Sequence, residues 1–240
     1  MKKQIIVALI TCLPLLHVKA QTWGEISSFN FGYANYDASS FSAFMPSPAL
    51  ELQNHAFRFA FDGSSISNRK IVGFGFAGFW QPRYAVDSFQ IRINGFDYKL
   101  ELGYAAVMRP KFFLAPVLGI GGGFDQINIH NTNETSAANI AQNPGRQLII
   151  SQGKAIADLS LRTNFLFGGG DNMTGDQKFM LGFSVGYATH YGIGKWRYEK
   201  VKIDDGPDGL RNMIYAQLNF GFITYNNEKN ADAPFEESMQ

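Results

Sequence analysis

Residues 214–222 read IYAQLNFGF, a stretch in which apolar side chains alternate with tyrosine, glutamine, asparagine and glycine. Successive side chains of a β-strand point to opposite faces, so this pattern predicts a strand with one apolar face and one small or polar face. Seven other stretches alternate in a similar way. The eight predicted strands are 26–36, 55–62, 70–80, 88–107, 111–129, 147–167, 178–191 and 212–225.

The first twenty residues have the three parts of an export signal. Lys2 and Lys3 precede an apolar run at 5–16, and Ala20 ends the segment as a small residue suited to cleavage. A run of this length is shorter than the ~20 residues that a membrane-spanning helix needs, so we predict removal of residues 1–20. The only cysteine, Cys12, would leave with them. A mature chain without a thiol suits passage through an oxidising periplasm.

Composition limits the classes of function. Loss of residues 1–20 would remove three lysines and no acidic residue, which leaves a net charge of about −2 and gives no reason to expect nucleic-acid binding. No Pro/Ser-rich linker or charge run divides the chain before residue 226, so residues 21–225 are predicted to form one domain. Residues 226–240 are polar and acidic and are predicted to be a disordered periplasmic tail.

An apolar strand face also fits a soluble sandwich or a lipocalin, so the opposite face decides between these folds. That face is rich in glycine, alanine, serine and asparagine, including Gly75, Ala115, Gly119 and Ser184, whereas a soluble exterior needs charge. Small residues suit the narrow lumen of an eight-stranded barrel. The apolar face carries no charge, as a lipid-facing surface requires. Its predicted members are Phe57, Phe59, Phe61, Val72, Phe74, Phe76, Leu100, Leu102, Leu159, Leu161, Phe183 and Val185.

The sequence therefore predicts an all-β fold: a single eight-stranded antiparallel up-and-down transmembrane β-barrel. Long connections at 37–54, 130–146 and 192–211 tend to alternate with short ones such as 108–110, as outer loops and periplasmic turns do in outer-membrane barrels. The fourth, fifth and sixth strands exceed the ~10 residues needed for crossing and are expected to project as a rim. Expected interface aromatics are Tyr33, Tyr36, Trp80, Tyr104, Tyr187, Tyr191, Tyr215 and Tyr225.

Charged and amide residues on the inward face form the main candidate site. Their signs nearly balance, which favours a static polar core; a gate or an ion path is the other interpretation. The members of this predicted lumen network are Arg58, Asp62, Lys99, Glu101, Asp158, Arg162, Asn164, Gln217 and Asn219, with Asn30 beside them.

Other sequence motifs do not predict functional sites once their positions on the strands are considered. Residues 73–78 fit G-x-G-x-x-G but lie within an aromatic strand with no helix after it, so no dinucleotide site is expected. The glycines at 119–123 are expected to make room for bulky lumen residues or to mark a bend. His55, His130 and His190 are too scattered for a metal motif. Ser184, His190 and Glu199 could form a hydrolase triad, but Ser184 points inward by parity, so no such triad is expected. We expect no catalytic site, no metal and no cofactor.

The chain resembles the small outer-membrane barrels typified by the OmpA transmembrane domain, OmpX and OmpW. The resemblance rests on the export signal, the eight alternating strands and a last strand rich in aromatics, namely Phe220, Phe222 and Tyr225. Its Gly-x-Gly-Phe segments are most similar to the barrel-domain proteins of Bacteroidota, including the secretion-linked PorT-type barrels. Unlike many barrels of this kind, the chain continues past its last strand, and an OmpA-like tether to peptidoglycan is not expected.

These observations predict a structural or interaction role in the outer membrane, such as envelope integrity, adhesion or a scaffold, with a largely plugged lumen. The alternatives are a narrow porin-like channel for small polar solutes and, more remotely, a lipid-modifying enzyme. Expected partners are outer-membrane lipid and lipopolysaccharide, the barrel-assembly machinery and an envelope protein. Lipopolysaccharide or another surface ligand is expected to contact a basic-aromatic stretch, Lys195, Trp196, Arg197, Tyr198 and Lys200, unless this stretch only extends a strand above the membrane.

Overall fold

A computed structural model describes residues 23–42, 54–86, 89–131, 147–168, 177–198, 200–204, 206–207 and 210–226. The predicted export signal, the acidic tail beyond residue 226 and Glu199 lie outside these ranges. Among the described residues no α-helix has the length and apolarity needed to cross a membrane.

The described chain is almost entirely β-strand. Its elements in chain order are β1 (Trp23–Tyr36), α1 (Ser39–Ser42), β2 (His55–Ser67), β3 (Lys70–Trp80), β4 (Tyr84–Val86), β5 (Phe89–Tyr104), β6 (Val107–Arg109), β7 (Phe112–Asn131), β8 (Gln147–Phe167), β9 (Gln177–Tyr198), β10 (Val201–Ile203) and β11 (Leu210–Asn226).

Eight of these strands close into a ring. β1, β2, β3, β5, β7, β8, β9 and β11 each pair antiparallel with the next, and β11 pairs back with β1 through contacts such as Phe29 opposite Phe220. The short strands β4, β6 and β10 add to β5, β7 and β9 respectively. The predicted eight-stranded up-and-down barrel is confirmed.

The two ends of the barrel differ. One end, called here the turn end, holds short connections such as the two-residue turn between β2 and β3, where Asn68 and Arg69 have positive φ angles of 46° and 66°. Two residues of positive φ give the twist that a tight hairpin needs. The opposite end, called the loop end, holds the longer connections, and in outer-membrane barrels such loops face outward.

The rim at the loop end is larger than the sequence predicts. β5, β7 and β8 project as expected, but β9 is the longest strand at 22 residues and continues to Tyr198, well past its predicted end at 191. Gly192 and Gly194 interrupt the alternation there, and the pairing of β8 with β9 shifts register between Ser151 and Gly153. Because the bulge and the glycines break the period-two pattern, the sequence does not reveal that β9 continues past residue 191.

The exterior of the ring is apolar. All twelve predicted lipid-facing residues point outward and are at least 40% exposed, up to 70% for Leu100. Tyr33, Tyr104, Tyr187 and Tyr191 are also exposed on this face, as predicted for interface aromatics. A soluble exterior does not display so continuous an apolar surface, which belongs instead in lipid.

Two of the predicted interface aromatics lie inside the barrel instead. Tyr36 and Tyr215 are 0% and 2% exposed, and both hydroxyls bond to carboxylates in the lumen. Their positions share the inward parity of neighbouring lumen residues, which outweighs their aromatic character. The side chain of Tyr225 lies outside the described residues.

Candidate functional site

Side chains fill the lumen in four successive levels. An apolar layer near the turn end includes Ile66, Phe113, Leu166 and Met180. A second apolar layer lies near the loop end. Its larger members are Tyr36, Phe41, Phe79, Ile91, Ile93, Ile127, Ile150, Trp196 and Met213. Two clusters of charged side chains lie between these layers, and they form the candidate site.

The central cluster consists of three cations and three carboxylates: Arg58, Asp62, Lys99, Glu101, Asp158 and Arg162. Lys99 Nζ lies 2.9 Å from Asp158 Oδ2 and 3.1 Å from Glu101 Oε1. Arg162 Nη2 lies 2.6 Å from Glu101 Oε1 and 3.5 Å from Asp62 Oδ2, while Arg58 is 3.9 Å from Asp158. The structure therefore brings all six predicted charges together in one network.

Neutral partners complete the central cluster. The Tyr215 hydroxyl donates to Asp158 Oδ1 over 2.8 Å, and Asn30 Nδ2 donates to Asp62 Oδ2 over 2.7 Å. Arg58 donates to Gln217 and stacks over the Tyr215 ring, 4.1 Å from its centroid. Towards the turn end, Ser184 donates to Asn219, which donates to Asn164. Each predicted amide of the lumen network is thus hydrogen-bonded inside the barrel.

A second cluster, called the upper cluster, was not predicted. It consists of Asp97, Asp125, Lys154, His190 and Arg211. Lys154 Nζ lies 2.6 Å from Asp97 Oδ1 and 2.7 Å from Asp125 Oδ1. Arg211 Nη2 lies 3.2 Å from Asp125 Oδ2, and His190 Nε2 lies 3.8 Å from Asp97. The sequence held a signal for two of these residues, because residues an even number of positions apart on a strand share a face. Asp97 precedes the inward Lys99 by two positions, and Lys154 precedes the inward Asp158 by four.

Charge balances within each cluster. The central cluster sets three cations against three carboxylates, and the upper cluster sets Lys154 and Arg211 against Asp97 and Asp125. These side chains are buried, with Arg162 the most accessible at 13%. Buried charges persist only when opposite charges and hydrogen bonds compensate the loss of hydration. In both clusters each charged lysine, arginine and carboxylate has an oppositely charged group within 4 Å.

Glycines provide the space for these side chains. A Cβ atom on Gly75 would lie 2.6 Å from Asp62 Oδ1, and one on Gly119 would lie 2.8 Å from Lys99 Cδ. For the glycines at 119–123 the prediction was room for bulky lumen residues or a bend, and at Gly119 the structure shows the first of these.

The loop-end layer includes the segment after β1. Phe41, in α1, packs edge-on against Trp196 at a centroid distance of 5.7 Å, and the Arg211 guanidinium lies 5.2 Å from the Phe41 ring. Trp196 is 1% exposed, and its Nε1 donates to the Pro207 carbonyl over 2.7 Å. This segment thus closes the mouth of the barrel from inside.

The burial of Trp196 corrects one predicted contact. Even-numbered positions of β9 point inward, so Trp196 cannot meet a surface ligand, and Tyr198 packs against the loop-end layer. Lys195, Arg197 and Lys200 are exposed at the loop end. Lys195 pairs with Asp204, and this hydrogen bond and charge lower the pKa of the Asp204 carboxyl from its ordinary value.

The weighed hydrolase triad is not assembled. Ser184 and His190 lie six residues apart on one strand, which places their Cα atoms about 20 Å apart. Ser184 instead bonds to Asn219, and His190 belongs to the upper cluster. No group of three or more potential metal ligands occurs within the described ranges.

No family model and no curated protein matches the sequence. Solved structures of outer-membrane barrels do match. Ail of Yersinia pestis superposes with a TM-score of 0.45 at 11% identity, covering 83% of this chain and 97% of that one. A major outer membrane protein of Thermus thermophilus superposes with a TM-score of 0.44 at 10% identity, covering 85% of this chain and 98% of that one. Neisserial surface protein A superposes with a TM-score of 0.34 at 11% identity, covering 85% of this chain and 97% of that one.

The chain forms a β-barrel of the outer membrane. This assignment rests on the closed ring of eight strands, the broad apolar band around its exterior and the buried polar interior. Only helices and closed barrels satisfy their backbone hydrogen bonds within lipid, and barrels of this kind belong to outer membranes.

Proposed function

We propose that this protein is a sealed, non-conducting barrel whose role is structural or interactive: envelope integrity, adhesion or a scaffold for an envelope assembly. The observation that carries the proposal is the filling of the lumen, within the described residues, by two apolar layers and two charge-balanced clusters. The cavity left beside Arg162 and Asn164 measures only about 10 Å³. No catalytic step forms part of it.

The filling opposes ion flow in two ways. An ion entering from either end first meets an apolar layer, where Phe113 or the Phe41–Trp196 pair replaces water with hydrocarbon. Beyond that layer, each buried charge already has an opposite partner, so the ion gains no compensation for its lost hydration. The polar interior therefore supports stability of the barrel and not transport.

The loop end is the part of the barrel that we propose for interaction. Lys195, Arg197 and Lys200 are exposed there and suit the phosphate groups of lipopolysaccharide or an acidic surface on an envelope protein. The barrel-assembly machinery is the proposed partner during insertion. The Gly-x-Gly-Phe segments support the narrower proposal that the chain is related to the barrel-domain proteins of Bacteroidota.

A narrow channel for small polar solutes is the second candidate. One observation favours it: within the described part of the chain, several buried polar atoms, including Asp62 Oδ1 and both ring nitrogens of His190, make no hydrogen bond. Such atoms bind water when water reaches them, and a chain of water molecules through the clusters would carry protons or small ions.

Conductance in planar lipid bilayers separates the two candidates. We expect refolded barrels to give no discrete current steps, provided that their gel mobility shifts on boiling as that of a folded barrel does. Arg162→Gln and Lys202→Gln form a matched pair, because the first removes a lumen cation and the second an exposed one. Reproducible steps that Arg162→Gln alters and Lys202→Gln leaves unchanged would establish the channel and overturn the sealed barrel.

A further inference from the structure

A polar pocket lies on the outer surface of the barrel wall, above the apolar exterior. Its volume is about 390 Å³, and it spans β5, β7 and β8 near the loop end. Arg83, Arg92 and His130 supply its basic groups, and Gln90 and Asn128 supply amides. Its lining, taken from the described residues, includes no carboxylate.

The strand register places this pocket directly above the lipid-facing aromatics. On the outward face of β5 and β7, Phe96 lies opposite Phe124, with the two rings stacked at 5.9 Å. The next outward pair is Asn94 and Gln126, followed by Arg92 with Asn128 and then Gln90 with His130. The surface thus changes from aromatic to amide to basic within three steps.

Arg92 lies above the Phe96–Phe124 pair at the height where lipid headgroups lie. Four strand residues rise about 13 Å, and a strand tilt near 40° reduces this to about 10 Å along the membrane normal. At such positions the aliphatic part of an arginine side chain packs along the apolar surface, while the guanidinium group stays in the polar layer. The basic groups therefore face the layer where headgroup phosphates lie, next to the hydrocarbon boundary.

Local structure builds and orients the basic groups. β5 extends past the end of β3 at the loop end, because the pairing of β3 with β5 stops at Trp80 opposite Asn94. β4 pairs with residues 89–91 in this extension of β5. Arg83, just before β4, thereby reaches the same pocket as Arg92. Arg92 Nε donates to Asn94 Oδ1 over 2.8 Å, which holds the guanidinium plane and leaves its two terminal nitrogens for a ligand. Among described residues, no carboxylate forms an ion pair with Arg83 or Arg92.

We propose that this pocket binds a phosphomonoester on the headgroup of an outer-leaflet lipid, with Arg83 and Arg92 as the principal charge partners. Two guanidinium groups and a nearby imidazole match the charge and the acceptor oxygens of a phosphate. A lipid fits better than a free phosphate because Phe96 and Phe124, immediately below, offer an apolar surface to its acyl chains. This site does not depend on whether the lumen conducts.

Lipid retention on the purified, folded barrel tests the site. The delipidated protein in detergent is titrated with phosphatidic acid, which carries a phosphomonoester, or with phosphatidylcholine, and bound lipid is counted by native mass spectrometry. We expect preferential retention of phosphatidic acid, and we expect the double variant Arg83→Ala/Arg92→Ala to weaken it by at least about ten-fold, because two charge-assisted contacts are lost.

The matched control is Arg109→Ala/Lys202→Ala, which removes the same charge from exposed positions outside the pocket. This control should retain phosphatidic acid as the unsubstituted protein does. Equal retention of both lipids, or an equal loss in the control, would overturn the proposal in favour of diffuse charge attraction. A third arm adds inorganic phosphate at the same concentration as the lipid, and full displacement of the lipid would show a free-anion site and overturn the assignment to a headgroup.

Discussion

Replacing Asp158 with leucine is expected to lower the free energy of unfolding by about 3–5 kcal/mol, because it leaves buried cations without their partner. Asp158 accepts a contact of 2.9 Å from Lys99 and a hydrogen bond of 2.8 Å from Tyr215, and it faces Arg58. Without Asp158 the central cluster keeps its three cations but has only two carboxylates. Denaturant titration, with the folded fraction followed by gel mobility, measures the effect.

The double variant Asp158→Leu/Lys99→Met gives a sharper result. It restores the charge balance to two cations and two carboxylates. Arg162 keeps its contacts with Asp62 and Glu101, and Arg58 keeps its hydrogen bond to Gln217 and its contact with the Tyr215 ring. Removal of both partners of a buried pair is often close to neutral, so the double variant should recover most of the loss. Asp204→Leu is the control, because Asp204 pairs with Lys195 in an exposed position and its loss should change little. Additive losses in the double variant would contradict the balanced cluster.

Replacing Leu100 with arginine is expected to make folding into lipid less favourable by about 2–4 kcal/mol, the range for a basic residue at the bilayer midplane. Leu100 is 70% exposed and lies in the middle of the outward row of β5, between Phe96 and Tyr104. A charged group at this position loses hydration without gaining a partner. Folding titrations in lipid vesicles measure this difference.

Val201→Arg is the matched control for Leu100→Arg. Val201 is 65% exposed but lies on β10, beyond the barrel wall, where water surrounds the new charge. The expected change is within about 0.5 kcal/mol. Equal effects of the two substitutions would mean that the exterior around Leu100 does not face lipid.

The faces of the strands were predictable because alternation in the sequence directly encodes burial. Phe57, Phe59 and Phe61 point outward, and Arg58 and Asp62 point inward, as the period-two pattern requires. A strand that slips by one residue would exchange these faces, and the unbroken pairing of β2 with β1 and with β3 shows that β2 keeps the predicted register.

Two members of the upper cluster, Asp125 and Arg211, were harder to predict because they lie where the alternating pattern breaks down. Asp125 follows the glycine run of β7, and Arg211 lies at the start of β11, in a segment predicted to be a loop. Phe41 gives no periodic signal at all, since it reaches the lumen from the connection after β1. Closure of the mouth thus depends on tertiary packing that local alternation does not encode.

Thiol accessibility tests the sealed lumen most directly. In a Cys12→Ser background the chain has no other cysteine, so Ser184→Cys, Val185→Cys and Lys202→Cys place single thiols in the lumen, on the lipid face and at the loop end. With a charged, membrane-impermeant thiol reagent applied to barrels in vesicles, we expect Lys202→Cys to react rapidly and Ser184→Cys at least about a hundred-fold more slowly, since a buried thiol reacts only after local opening. Val185→Cys should react only with a lipid-soluble maleimide. Reaction of Ser184→Cys at a rate close to that of Lys202→Cys would show water throughout the lumen and contradict the sealed barrel.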